Sequence, residues 1–110
     1  MHLNQYQAMA QRTMNPTLDT CELIEHAKSG LVAEVGEFHS LFQKKYQGHP
    51  LNVIHMKKEL GDVLWFIAEF CTAYGWTLEE IAKLNIEKLK ARYPEGFAED
   101  RSLNRMEGDI

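Results

Sequence analysis

At 110 residues, with 45% apolar and 25% charged positions, the chain has the size and composition of one folded domain, and association with further copies would help so short a chain bury enough surface. Its formal net charge of −4 argues against the concentrated basic face of a nucleic-acid-binding surface, and no apolar run approaches the ~18 residues of a membrane span. Cys21 and Cys71 lack metal or redox spacing and are expected to be buried thiols; with no basic start or apolar core of a signal peptide, the expected compartment is the cytoplasm.

Leu3, Tyr6, Met9, Ala10, Thr13 and Met14 recur at helical spacing, which predicts a short helix over 3–14 ending before Asn15-Pro16. Asp19 or Thr20 can cap a second helix whose face, Leu23, Ala27, Leu31, Glu34, Val35, Phe38 and Phe42, runs to about Tyr46. After a turn at Gln47-Gly48-His49-Pro50, the positions Met56, Glu59, Leu60, Val63, Ile67, Phe70 and Cys71 mark a third helix ending near Tyr74. Gly75 is a natural stop, and Thr77-Leu78-Glu79-Glu80 is a capping box that opens a fourth helix running to about Arg92. Pro94 and Gly96 end it, so residues 1–97 read as a helical domain and 98–110 as a polar tail, extended or partly ordered. Two-residue alternation is absent throughout. The expected class is all-α, a four-helix-bundle-like arrangement of antiparallel helices.

Glu34-Val-Gly-Glu37 and Glu59-Leu-Gly-Asp62 each set two carboxylates one turn apart around a glycine, inside or beside an apolar stripe. A single such pair would be an ordinary solvated face; its repetition favours a compensating cation. Hard oxygen donors suit Mg²⁺ or Mn²⁺. The glycines cost their helices about 1 kcal/mol each against alanine, a loss better tolerated where a facing helix or a ligand comes close. The turn near residue 48 lies about 11 residues from both Glu37 and Glu59, and equal distances from an antiparallel turn mean equal heights at about 1.5 Å per residue. The spacing therefore predicts a four-carboxylate cluster. Iron-oxygen sites on bundles use Glu-x-x-His, absent here, so a hard divalent ion acting on phosphates is the favoured chemistry.

Phosphates also need cationic donors. Asn85, Lys88 and Arg92 share one side of the fourth helix, with Asn85 expected to face inward; Lys88 and Arg92 would equally complement the helix C-terminal dipole. Lys44 and Lys45 carry the same two readings. Trp65 and Phe66 offer either a stacking wall for a base or core packing, and Trp76 reads as packing. His26 sits at an ordinary polar helix position from which it could hydrogen-bond a base or sugar. His39, His49 and His55 read as surface residues.

Assembled, these residues resemble the MazG-like nucleoside triphosphate pyrophosphohydrolases. The likeness rests on Gly30-Leu31-x-x-Glu34-x-Gly36-Glu37, Lys44-Lys45, Glu59-Leu60-Gly61-Asp62-Val63-Leu64-Trp65 and Asn85-x-x-Lys88-Leu89-x-x-Arg92-Tyr93-Pro94-x-Gly96-Phe97, across roughly residues 5–97, and on an opening, Tyr6-Gln7 with Ala10 and Arg12-Thr13, similar to that of small single-domain members. The resemblance implies an all-α bundle, Mg²⁺ dependence, and hydrolysis of a nucleoside triphosphate to monophosphate and pyrophosphate. It implies that Glu34, Glu37, Glu59 and Asp62 are catalytic metal ligands, that Asn85, Lys88 and Arg92 contact substrate, and that the protein is a homodimer or homotetramer. Alternatives from the same residues are hydrolysis of another pyrophosphate-containing metabolite, or a helical interaction module without catalysis.

Overall fold

The computed structural model describes residues 1–110 and contains five helices, α1 (Leu3–Gln11), α2 (Thr20–Lys45), α3 (Val53–Tyr74), α4 (Leu78–Arg92) and α5 (Glu99–Leu103), with no strand. The expected all-α class is observed. Of the two candidate caps for α2, Asp19 is the one used: Glu22 N donates to Asp19 Oδ1 at 2.8 Å and Asp19 N donates back to Glu22 Oε1 at 3.1 Å, which satisfies two otherwise orphaned donors. Asn52 accepts from His55 N at 3.0 Å to open α3, and Gly75 closes it at φ 74°, where a side chain would be strained. α1 stops at Gln11, short of Met14, because the next amides, Arg12 and Thr13, bond three residues back to Met9 O and Ala10 O.

The chain forms two compact units, Met1–Leu78 and Glu79–Ile110. In the first, α2 and α3 pack as an antiparallel hairpin and α1 lies on α3. Three levels fix the register: Glu34 stands by Glu59 and Asp62, Gly30 lies under Phe66, and His26 meets Glu69. Each step back along α2 is matched by one forward along α3, about the turn near residue 48. Ala10, Ala68, Cys71 and Leu78 form the buried core, with Tyr6, Trp65 and Ile67 packed against it. Gln7 joins α1 to the end of α3. Its Nε2 donates to Thr72 Oγ1 (3.1 Å) and Trp76 O (2.8 Å), and its Oε1 accepts from Leu78 N (2.7 Å).

Two expectations are corrected in this unit. The close approach foreseen at Gly36 and Gly61 is absent, since nothing lies within 4 Å of where their Cβ atoms would stand; it is Gly30 whose missing side chain makes room, for the ring of Phe66. Cys71 is buried as expected, but Cys21 is exposed, because it falls in the first turn of α2 outside its apolar stripe. No helix is long and apolar enough to cross a membrane.

In the second unit the residues after Phe97 carry α5 and fold back so that Asp109 grips Arg92, with Arg92 Nε and Nη2 donating to Oδ2 and Oδ1 at 2.8 and 2.7 Å. Asn85, expected to face inward, is exposed, as are Ile81, Leu84 and Ile86 around it. No element of its own unit covers this side of α4.

Candidate functional site

The hairpin register brings Glu34 of α2 against Glu59 and Asp62 of α3, and one carboxylate oxygen from each lies within 4.8 Å of the others. Glu34 and Glu59 are partly buried, and Asp62 is exposed. The expected quartet is thus a trio with a neighbour. Glu37, three residues beyond Glu34 on α2, lies outside the group. Glu37 still contributes through its charge. Burial, then the charges of Asp62 and Glu59, a hydrogen bond with Glu59 and the charge of Glu37 hold the Glu34 carboxyl above the ordinary glutamate range. Tyr6 of α1 borders the cluster: burial and then the charge of Asp62 push its phenol up.

Glu34 and Asp62 pair with no lysine or arginine. Glu59 is steadied by His55, whose Nε2 lies 2.9 Å from Glu59 Oε1. His55 is exposed, as read from the sequence, and its i,i+4 spacing from Glu59 on one helix was the signal that could have found this contact. Three hard oxygen donors, free of nitrogen or sulfur partners other than His55 and crowded enough to raise a carboxyl pKa, fit a divalent cation of the Mg²⁺ or Mn²⁺ type.

One and two turns further along the hairpin lies a second constellation. Phe66 packs over Gly30 and meets Trp65 edge-on, with ring centroids 4.9 Å apart. Trp65 also donates from Nε1 to Thr13 Oγ1 at 2.8 Å, so it anchors the chain following α1 and serves packing. His26 stands beside both rings, its centroid 5.5 Å from that of Phe66 and 6.5 Å from that of Trp65. Its Nδ1 is 2.6 Å from Oε1 of Glu69, a residue only 1% exposed. Glu69 had gone unremarked in the sequence, where nothing local distinguishes one glutamate in an apolar run.

Lys44 and Lys45 are exposed in the last turn of α2, where they complement its dipole. Lys88 is exposed, while Arg92 is committed to Asp109, which draws the guanidinium pKa up and the Asp109 pKa down, each mainly through the hydrogen bonds between them. These two cations, with Arg101, Arg105 and Asp109, line a cavity of about 460 Å³ in the second unit.

The chain is 29% identical over 114 residues to the Gene 37 protein of Mycobacterium phage L5, a match covering 96% of this chain and 100% of that protein. No solved structure matches it. The family model described as the MazG nucleotide pyrophosphohydrolase domain matches residues 22–97, a span holding both acidic pairs, the aromatic level between α2 and α3, and the cations of α4. Acidic hairpin and family match together assign the chain to the MazG nucleotide pyrophosphohydrolase domain family.

Proposed function

We propose that this protein hydrolyses a nucleoside triphosphate, ribo or deoxyribo, to the monophosphate and pyrophosphate with Mg²⁺ or Mn²⁺, in nucleotide-pool sanitation. The observation that carries the reading is the trio Glu34, Glu59 and Asp62, three crowded carboxylates of which two have no cationic side chain beside them. These residues would hold the ion. When bound, such an ion neutralises phosphate oxygen charge and lowers the pKa of a coordinated water. His55 fixes one oxygen of Glu59 and leaves the other for the site. Glu37, next along α2, is a fourth ligand once a cation replaces like-charge repulsion with attraction.

Lys88 and Arg92 are the substrate's phosphate contacts in this reading, with Asn85 beside them and Lys44 and Lys45 as further donors. Arg92 suits a bidentate anion, as its grip on Asp109 illustrates, and in this reading a phosphate displaces that carboxylate. Phe66, backed edge-on by the packed ring of Trp65, supplies the aromatic surface for a base.

The test is a panel of nucleoside triphosphates with and without EDTA, reading pyrophosphate and orthophosphate separately. The expected result is pyrophosphate as the direct product of at least one substrate, abolished by EDTA and restored by Mg²⁺ or Mn²⁺. In the same assay Lys88→Met should lower kcat/KM about tenfold, the worth of one hydrogen bond to a charged group. Turnover of other pyrophosphate compounds alone would redirect the assignment, and no metal-dependent turnover of any would leave a helical interaction module.

The assembly proposed is a homodimer or homotetramer. Val32, Val35, Val53, Ile54 and Leu60 on α2 and α3 are each exposed by half or more, more apolar surface than one hairpin ordinarily leaves to water. Light scattering at tens of micromolar should return twice or four times the chain mass; a fully active monomer would contradict it.

A further inference from the structure

Glu69 is an expensive residue. It is 1% exposed, its Oε2 has no hydrogen-bond partner, and its Oε1 is used on one group only, Nδ1 of His26. A pair kept for packing alone would be served as well by two apolar side chains of the same size, which leave no oxygen unpaired. What the carboxylate does secure is the ring of His26. With Nδ1 held from below at 2.6 Å and the ring flanked by Phe66 and Trp65, the imidazole has little freedom to turn. The histidine side chain is nonetheless 48% exposed, so its remaining polar atom, Nε2, belongs to the open side of the pair.

Position gives that atom a partner. Along α2 the sequence Glu34, Gly30, His26 steps back in fours, and along α3 Asp62, Phe66, Glu69 steps forward by four and three, so the acids, the aromatic ring and the histidine lie on successive levels of one hairpin face. Two turns, about 12 Å at 1.5 Å per residue, separate the acids from His26. That is room for a phosphate and a sugar between an ion on the acids and a flat ring at the histidine level. A group with an aromatic face for Phe66 and hydrogen-bonding atoms on its rim for Nε2 is a nucleobase.

We propose that His26 reads the base of the nucleotide, donating to or accepting from its edge through Nε2, and that Glu69 is the positioning residue that holds the imidazole for this. The inference rests on the nucleotide reading above and goes further by naming where base selectivity resides. Sites that hydrogen-bond a substrate's edge discriminate strongly against analogues lacking it.

The experiment measures binding by calorimetry with Mg²⁺ present, using non-hydrolysable α,β-imido analogues of the four deoxynucleoside triphosphates and, as a ligand without a base, inorganic tripolyphosphate. The variant His26→Phe/Glu69→Leu removes both polar partners at once, keeps an aromatic ring against Phe66 and leaves no orphaned carboxylate. It should lose about tenfold in the ratio of its best nucleotide affinity to its tripolyphosphate affinity, with the spread among the four bases narrowing to match. Glu69→Ala should narrow the spread as well, and Glu69→Gln, which can still accept from Nδ1, should restore it. A double variant with the wild-type ratio and spread would make the pair structural and overturn the proposal, and failure of Glu69→Gln to rescue would overturn the positioning role. If the double variant does not fold, His26→Asn is read by the same ratio. Wild-type protein that binds tripolyphosphate and nucleotides equally would sink base reading alone; binding neither would sink the nucleotide assignment with it.

Discussion

Replacing Glu34, Glu59 or Asp62 singly by its amide is expected to cut turnover at least about 100-fold while leaving the metal-free protein as stable as before or more so, since acid-base and electrostatic terms at a site are worth that much. The two effects separate because the carboxylates work against the fold that holds them. Glu34 is held above its ordinary pKa by burial and then by the charges of Asp62, Glu59 and Glu37, so in the folded chain its ionised form is the strained one. A carboxyl whose folded pKa exceeds its unfolded one contributes stability that is complete below the unfolded value, and that stability is lost as pH rises through the folded value. The metal-free wild type should therefore lose melting temperature as pH climbs through the ordinary glutamate range and just above it. Glu34→Gln should flatten that slope. Asp109, held below its ordinary range by Arg92, acts in the opposite sense and loses its contribution as pH falls, so the difference between wild type and Glu34→Gln isolates the acid cluster. Adding Mg²⁺ should raise the wild-type melting temperature and barely move that of the three amide variants. Glu37→Gln reports on the fourth carboxylate: a loss as large as the other three puts Glu37 on the ion. Variants that unfold while their surviving fraction turns over normally would make the acids structural.

The largest effect on stability is expected at Gln7. This side chain is 8% exposed and serves three groups together, the hydroxyl of Thr72, the carbonyl of Trp76 and the amide of Leu78. Gln7→Leu keeps the volume and unpairs all three at the corner where α3 ends and α4 begins. Leaving buried polar groups unsatisfied costs about 1–3 kcal/mol each where no water replaces the partner. With partial rehydration near Trp76 a net loss of about 3 kcal/mol is expected, a large share of the ~5–15 kcal/mol that holds a domain together. The melting temperature should fall by ten degrees or more. Gln7→Glu, which retains an acceptor for Leu78 N and loses both donations from Nε2, should fall between wild type and Gln7→Leu. A thermal melt within two degrees of wild type for Gln7→Leu would mean that α1 is fastened by the Ala10 and Tyr6 contacts alone.

Helices α1 to α4 were legible in the sequence, α1 to within three residues of its end, because what fixes them is local; α5 was not. Asp19 ahead of α2 and Gly75 after α3 act within a few residues of the backbone groups at the helix ends, and so does Asn52 ahead of α3, which the sequence reading passed over. The hairpin register was legible too, since an antiparallel pair joined by a short turn has one free parameter and the distances of Glu37 and Glu59 from residue 48 set it. That arithmetic gives height along the helices but not rotation about them. Rotation decided that Glu34 joins Glu59 and Asp62 while Glu37 stands aside, and that Gly30 rather than Gly36 or Gly61 receives a neighbour's ring. Pairings between residues far apart in the chain lay further out of reach. Glu69 is one glutamate among many until His26, forty-three residues away in sequence, arrives at 2.6 Å, and the polar stretch after Phe97 had no visible reason to fold back until Asp109 reached Arg92. Caps and periodicity are properties of a segment and its own backbone, whereas such contacts depend on which side chains packing brings within hydrogen-bond range, and that is decided only when the helices have closed on one another.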